Sequence, residues 1–140
     1  MAAAPGTGQS SSVKSFAVSV KQGRFKINAA VYKMGPDILT AVWGGTRPHI
    51  GAIGMAQARQ SLRDAEETSA TGSVFTFLGH KEDLVAKPLA EELSRKLARN
   101  SVVIAGIHWD SLTDDEIRTV AGLCRKLTAK IIKKVEQDLD

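Results

Sequence analysis

Apolar and polar positions alternate with period two through the first third of the chain. Three such segments, residues 16–20, 24–32 and 38–43, are separated by Gln22-Gly23 and by Gly35-Pro36-Asp37. Both separators suit tight turns, because glycine supplies the backbone conformation that such turns need. The pattern therefore predicts three strands joined as an antiparallel meander.

The middle of the chain continues with strand character. Residues 50–58 are apolar but rich in glycine, which predicts a bent strand or one that backbone or ligand approaches closely. Residues 61–70 are polar and acidic, and they predict a surface loop or a short helical turn. Residues 72–78 predict the next strand.

Beyond residue 83 the apolar residues recur at spacings of three and four, which is typical of an amphipathic helix. Pro88 is tolerated only near a first helical turn, so we expect the helix to begin close to Val85. We expect it to end near Arg99, with Asn100 as a left-handed C-cap. The apolar positions are Leu84, Val85, Leu89, Leu93 and Leu97.

Residues 101–107 form a continuous apolar run, which predicts a strand buried on both faces. With the strand and helix before it, this strand predicts a right-handed β-α-β crossover. A final helix opens with Thr113-Asp114-Asp115-Glu116, a capping box at the level of sequence. The stripe expected to pack on the sheet is Ile117, Val120, Ala121, Cys124, Leu127, Ile131 and Val135.

These elements predict an α+β (α/β-like) fold over residues 14–140. It is a single domain with a mixed sheet, an antiparallel N-terminal meander, one β-α-β crossover and two C-terminal helices packed on the sheet. Residues 1–13, rich in alanine, glycine and serine, predict a disordered tail. If both helices cover one face, the other face is bare or buried by a second subunit, and we expect a homodimer.

Composition narrows the classes of function. The single cysteine, Cys124, excludes an internal disulfide and a zinc site built from several cysteines. The net charge of +4 is spread along the chain without interleaved aromatics, so we expect no nucleic-acid partner, whereas an anionic small molecule fits. No stretch has the length of a membrane span, and the N-terminus lacks the features of a secretory signal. We therefore expect a cytoplasmic protein.

The chain contains three histidines, and each follows a predicted strand where that strand runs into a turn. They are His49, His80 and His108. A polar side chain at a strand end is held by a rigid scaffold and can still reach a ligand. If the three strands are neighbours, the histidines line one pocket.

The segment around His49 carries the densest set of candidate binding groups. Gly44 and Gly45 allow backbone N–H groups to form an anion nest, and Arg47 offers a fork of donors matched to phosphate or carboxylate. Trp43 precedes them. The alternative is a tight hairpin connection whose arginine is simply solvated.

The other two histidines also have a functional and a structural interpretation. His80 and Lys81 lie before a predicted helix N-terminus, where an anion can bind; alternatively both are merely exposed. Trp109 beside His108 can stack on a flat ligand while Asp110 orients an imidazole. Alternatively, Asp110 or Ser111 begins the last helix and Trp109 closes the core.

Several of these segments, taken in order, resemble the LpdD-like proteins, which are small accessory partners of UbiD-type (gallate-type) aromatic acid decarboxylases. The resemblance rests on residues 44–52, 79–83, 87–90 and 105–110 and covers roughly residues 16–127. It implies a chaperone for prenylated flavin mononucleotide (prenylated FMN), or for FMN itself, that serves a UbiD-type decarboxylase. It also implies that the chain is not itself an enzyme.

A flavin nucleotide needs an anion site for its phosphate, a flat wall for its rings and donors for its carbonyl groups. Residue chemistry makes Arg47 and Lys81 candidates for the phosphate, and Trp43 and Trp109 candidates for stacking. The three histidines are candidates for contacts with the polar edge of the rings. The predicted cofactor-binding set is Trp43, Gly44, Gly45, Arg47, His49, His80, Lys81, His108 and Trp109, with no catalytic and no metal-binding residue.

Two other functions remain open on the residues alone. Three histidines that are far apart in sequence can still bind one metal ion, so one alternative is a small metal-binding enzyme. No close spacing of the histidines supports it. It could also be a structural subunit of a decarboxylase complex. In that case the histidines would bind nothing.

Overall fold

Eight elements follow one another in the part of the chain that the computed structural model describes, residues 13–77, 79 and 83–138. They are β1 (Lys14–Gln22), β2 (Phe25–Met34), β3 (Asp37–Gly45), β4 (Ala52–Gln60), β5 (Thr68–Thr76), α1 (Asp83–Leu97), β6 (Ser101–His108) and α2 (Asp114–Gln137). The strands form one sheet in the order β1-β2-β3-β6-β4-β5. The predicted tail, residues 1–13, lies outside the described residues except for Val13.

The sheet is mixed, as predicted. β1, β2 and β3 form the antiparallel meander, with Gly23 and Gly35 at positive φ in its two turns. β6 pairs parallel to β3 and antiparallel to β4, and β5 completes the sheet by pairing antiparallel to β4. The single-domain α+β fold expected from the sequence is confirmed.

The β-α-β crossover has a wider span than the sequence indicates. β5 and β6 run in the same direction, but β4 lies between them, so α1 crosses over one strand. β5 also begins at Thr68, four residues before the predicted start. Its first residues are small and polar because β5 is an edge strand, so hydrophobic periodicity does not mark them.

Both helices pack on one face of the sheet, which we call the covered face. α1 contacts β4, β5 and β6, whereas α2 contacts β1 and β2. Alternate strand residues turn towards the helices and are fully buried, as alternation along a pleated strand requires. The largest buried side chains of this core are Ile27, Val31, Leu93, Val103, Leu123, Leu127 and Ile131.

The opposite face, which we call the open face, has no helix over it in the described part of the chain. β6 was expected to be buried on both faces, yet Val102 and Ile104 on this side are only partly buried. Phe75 is 61% exposed, and its ring stacks edge-on against Phe77 with the centroids 5.2 Å apart. The open face is therefore apolar without being covered.

The helix boundaries correct three predictions. α1 begins at Asp83, so Pro88 lies in its second turn rather than its first, and burial of Leu89 and Leu93 against the sheet compensates for the lost hydrogen bond. α1 ends at Leu97. The left-handed residue after it is Ala98, with φ 53°, and not Asn100.

α2 has the predicted capping box, in which Thr113 and Glu116 bond each other's backbone N–H. Its buried stripe is shifted from the predicted one. Leu123 packs on the sheet together with Leu127, Thr128, Ile131 and Val135, whereas Ile117 is 52% exposed. The helix has a second apolar stripe, formed by Ile117, Val120, Cys124 and Ile132, and this stripe faces α1.

Candidate functional site

β3 and β6 run parallel and end side by side, so Gly45 pairs with His108 in register. The chain leaving β3 must then reach β4, which lies on the far side of β6. The connection, residues 46–51, therefore passes across the end of β6. This crossing brings the Arg47 segment and the His108 segment together.

Glycine makes the crossing possible at two positions. A Cβ on Gly106 of β6 would lie 1.6 Å from the carbonyl oxygen of His49, so only a residue without a side chain lets this backbone pass. Gly45 has φ 86°, and a Cβ there would lie 1.8 Å from the carbonyl oxygen of His108. Both glycines are required by backbone contact.

Hydrogen bonds fix the connection at both ends. The Thr46 N–H donates to the His108 carbonyl at 2.8 Å, and the Gly51 N–H donates to the Ala105 carbonyl at 2.9 Å. The Phe77 N–H in turn donates to Gly51 at 2.9 Å. The segment carrying Arg47 and His49 is thus held between β6 and the end of β5.

Asp110 links the two halves of the cluster. Its carboxylate accepts a hydrogen bond from His108 Nε2 at 2.8 Å and lies 3.8 Å from Nη2 of Arg47. The hydrogen bond from His108 and then the charge of Arg47 lower the pKa of Asp110 below its ordinary value of 3.8. Asp110 therefore orients the imidazole as a charged carboxylate.

His49 lies on the other side of the cluster. Its Nδ1 is 2.8 Å from the carbonyl oxygen of Arg47, and since a carbonyl only accepts, Nδ1 donates. The His49 and His108 rings are 6.4 Å apart, centroid to centroid, at an interplanar angle of 76°. Arg47, His49, His108 and Asp110 thus form one polar group at the strand ends, which we call the strand-end cluster.

The two tryptophans lie on opposite faces of the sheet. Trp43 lies on the open face beside Gly106, two residues before the end of β3, and is partly exposed. Trp109 follows His108 directly but turns to the covered face, where it packs edge-on against Phe25 at 5.1 Å and is 9% exposed. This is the core position named as the alternative for Trp109.

The predicted anion nest is built differently. The Thr46 N–H that would complete an anion nest with Gly44 and Gly45 is already bonded to the His108 carbonyl. The glycines instead allow close approach: a Cβ on Gly44 would lie 2.8 Å from the Lys26 carbonyl oxygen. His80 and Lys81 lie outside the described residues.

A metal site finds no support in the described ranges, where no three His, Cys, Asp or Glu side chains are placed to hold an ion. Arg47 is 72% exposed, and Asp110 beside it is 66% exposed. The cluster therefore offers one solvent-facing guanidinium next to an apolar surface. That combination suits an anionic group attached to a flat, poorly hydrated body.

Some residues of this region were not in the predicted site. Gly106 determines where the connection crosses, and its only sequence signal is a glycine near the end of an apolar strand. Phe75 and Phe77 extend the apolar surface past Gly51 on the open face. Their signal was the alternation of aromatic and polar residues at the end of β5.

Comparison with known proteins adds a family to this geometry. The sequence model of one protein family, the prenylated flavin chaperone LpdD-like domain, matches residues 21–136. This range includes every residue of the predicted site. The chain belongs to this family. LpdD-like proteins are chaperones, so the chain is an accessory protein and not the decarboxylase.

Two individual proteins are similar to this LpdD-like chain. Protein LpdD of Lactiplantibacillus plantarum is 28% identical over 114 residues, which cover 81% of this chain and 80% of that protein. A chain from the crystal structure of a chaperone complex for yeast 20S proteasome assembly superposes with a TM-score of 0.58. It covers 91% of this chain and 98% of its own length at 12% identity, which shows a shared fold alone.

None of the described helices combines enough length with enough apolar character to cross a bilayer.

Proposed function

We propose that this LpdD-like protein binds prenylated FMN and acts as its chaperone for a UbiD-type aromatic acid decarboxylase. The observation that carries the proposal is the convergence of Arg47, His49 and His108 at the ends of β3 and β6, directly beside an apolar sheet face. Membership of the prenylated flavin chaperone family supports it. So does the similarity to Protein LpdD.

The residues present match the chemistry of the cofactor. Arg47 binds the phosphate in this proposal, because its guanidinium is largely exposed and its ion pair with Asp110, at 3.8 Å, is loose. His49 and His108 contact the polar edge of the rings. Lys81 is proposed as a second phosphate ligand from its sequence position alone.

The open face supplies the wall for the flavin rings. Trp43 lies there beside Gly106, and Ile104 continues the apolar surface along β6. Trp109 has no part in this wall, since it is buried in the core on the covered face. Plain FMN shares the phosphate and the rings, so it is expected to bind at the same site.

The open face also supports a second proposal, that two copies form a homodimer through it. Tyr32, Met34 and Met55 lie on this face with 39%, 51% and 50% of their surfaces exposed. An uncovered apolar surface of this breadth marks an interaction site on a monomer. Sedimentation is expected to give twice the chain mass, and Met55→Arg to return the protein to a monomer. We also propose that the protein functions in the cytoplasm.

The flavin proposal is tested by binding. Purified protein is mixed without oxygen with reduced prenylated FMN, desalted, and its visible spectrum recorded before and after air is admitted. Retained absorbance is expected, with a spectral change in air if the protein governs oxidation of the flavin. A colourless protein after desalting contradicts the proposal.

Arg47→Ala is expected to weaken flavin binding at least about tenfold, which is the loss typical of removing one hydrogen bond to a charged group. Arg118→Ala is the matched control, because Arg118 is also 72% exposed and also pairs with an aspartate, Asp115. Equal loss in the two variants would assign the effect to general charge rather than to the site.

A further inference from the structure

α1 and α2 enclose an apolar groove on the covered-face side of the sheet. It has a volume of about 1000 Å³ and lies between the second apolar stripe of α2 and the outer side of α1. Its floor is formed by Val85, Leu89, Ile117, Val120, Cys124 and Ile132. The strand-end cluster and the proposed flavin wall do not use any of these residues.

Two observations show that the groove is not completed by the described part of the chain. Ile117 is 52% exposed at one end of it, although an isoleucine on a helix is normally placed inward. Cys124 and Ile132 further along α2 are only partly buried. The apolar floor from Ile117 to Ile132 runs about 22 Å along α2, which is four helical turns.

The charge around the groove is one-sided along α2. Between Glu116 and Glu136 the helix has six basic residues and no acidic one: Arg118, Arg125, Lys126, Lys130, Lys133 and Lys134. Arg125 and Lys133 line the groove, and Lys96 in the last turn of α1 faces them from the other side. These three form no ion pair with any described residue.

Carboxylates at the groove do not balance these cations. Glu92 is already neutralised by two short hydrogen bonds from Arg95, at 2.7 and 2.9 Å. Glu136 lies at the far end of α2. An occupant with an apolar stripe and acidic flanks would therefore satisfy both the floor and the unpaired cations.

We propose that this groove is a docking site for an acidic amphipathic helix of a partner protein. A groove between two helices accepts a third helix through apolar residues spaced three and four apart. A concave floor favours a helix over a membrane surface, because membrane binding requires apolar side chains that protrude. The site lies on the covered-face side, so the partner and the flavin can be bound together.

The test uses two synthetic helical peptides of about 15 residues, a length that spans four turns. Both have the same leucine stripe, with glutamates on the flanks of one and lysines on the flanks of the other. The acidic peptide is expected to bind the full chain at least about tenfold more tightly, by fluorescence anisotropy, and to lose affinity as salt is added. Equal binding of both peptides, or binding of neither, overturns the proposal.

Two variants locate the binding. Ile117→Glu is expected to weaken the acidic peptide at least about tenfold, whereas Leu62→Glu, in the exposed β4–β5 loop, leaves it unchanged. The double variant Arg125→Glu and Lys133→Glu is a second test, because both positions are exposed and form no described ion pair. It is expected to weaken the acidic peptide as well, and it replaces Ile117→Glu if that variant does not fold. If none of these changes weakens binding, the groove is not the site.

Cys124 reports occupancy directly, because it lines the groove. Burial raises the pKa of its thiol to about 11, so alkylation is slow and its rate is easily followed. Saturating acidic peptide is expected to slow the labelling several-fold. An unchanged labelling rate contradicts the proposal. So does a protein that binds phosphatidylglycerol vesicles instead of the peptide and loses this binding in Ile117→Glu.

Discussion

The covered and open faces of the sheet are built from the same strands and both carry apolar side chains, but only the covered face is packed by helices. Along β6, Val103 and Ala105 are fully buried under the helices, while Val102 and Ile104 point the other way and remain partly exposed. A sheet with one solvated face normally alternates apolar with polar residues. Here the apolar residues of the open face are not needed for the core, so they are available for a ligand or a second copy.

The two faces also differ at the ends of β3 and β6. On the covered side, Trp109 closes the core against Phe25. On the open side, His108 joins Arg47 and His49 around Asp110. Two consecutive residues thus belong separately to the core and to the proposed binding site, because successive strand side chains point to opposite faces.

The largest effect that separates the faces is expected from truncating one residue on each. Leu127→Ala removes a fully buried side chain from the covered face and is expected to lower the free energy of unfolding by about 3 kcal/mol. Met55→Ala on the open face, where Met55 is 50% exposed in one copy, is expected to change the unfolding free energy of the monomer by less than about 0.5 kcal/mol, measured at protein concentrations below dimerisation. Urea unfolding measures both. Similar losses would mean that the open face is part of the monomer's core.

A smaller effect is expected where the two faces meet at the crossing of residues 46–51. Gly106→Ala places a methyl group against the His49 carbonyl, so the connection must move, at a cost of about 1–3 kcal/mol. Retention of flavin is expected to fall with it. Gly122→Ala is the matched control: the new methyl would make only an ordinary contact, 3.7 Å from Nη2 of Arg125, and alanine should stabilise α2 by roughly 0.5–1 kcal/mol. If Gly106→Ala keeps wild-type stability and flavin retention, the crossing does not organise the site.

Sequence patterns predicted the elements better than their environments. The meander, the β6 strand and the Thr113 capping box follow from local signals, namely period two, turn glycines and a cap. The buried stripe of α2 does not, since Ile117 and Leu123 are equally apolar and only tertiary packing decides which one faces the sheet. The start of β5 is hidden because an edge strand needs no apolar residues.

The candidate site shows the same limit. His49 and His108 could be singled out because each follows a strand, but their approach depends on β6 lying between β3 and β4, which no local pattern shows. The opposite directions of His108 and Trp109 follow from β6 continuing to His108 itself. Predicted roles therefore fail first where a strand end is uncertain by one residue.

The smallest effect is expected from two carboxylates, Glu116 at the start of α2 on the covered-face side and Asp110 in the strand-end cluster. Glu116 accepts a hydrogen bond from Arg24 at 2.8 Å, which lowers its pKa below the ordinary value of 4.5. Asp110 at the strand-end cluster is lowered in the same way by His108 and Arg47. A carboxyl whose pKa is depressed by folding stabilises the native state above its unfolded pKa, and that contribution is lost as the pH falls through its folded value.

Glu116→Gln is therefore expected to unfold at a slightly lower temperature than the wild type at neutral pH, with the difference shrinking as the pH falls below 4.5. Asp110→Asn should show the same trend below 3.8, since its partners act only on the charged form. The two variants are expected to differ in flavin retention, which Asp110→Asn changes because Asp110 orients His108 and faces Arg47, whereas Glu116→Gln leaves it intact. Thermal melts between neutral pH and acid, with flavin retention on the same samples, measure both. A Glu116→Gln protein that lost flavin would show that the two sides are not independent.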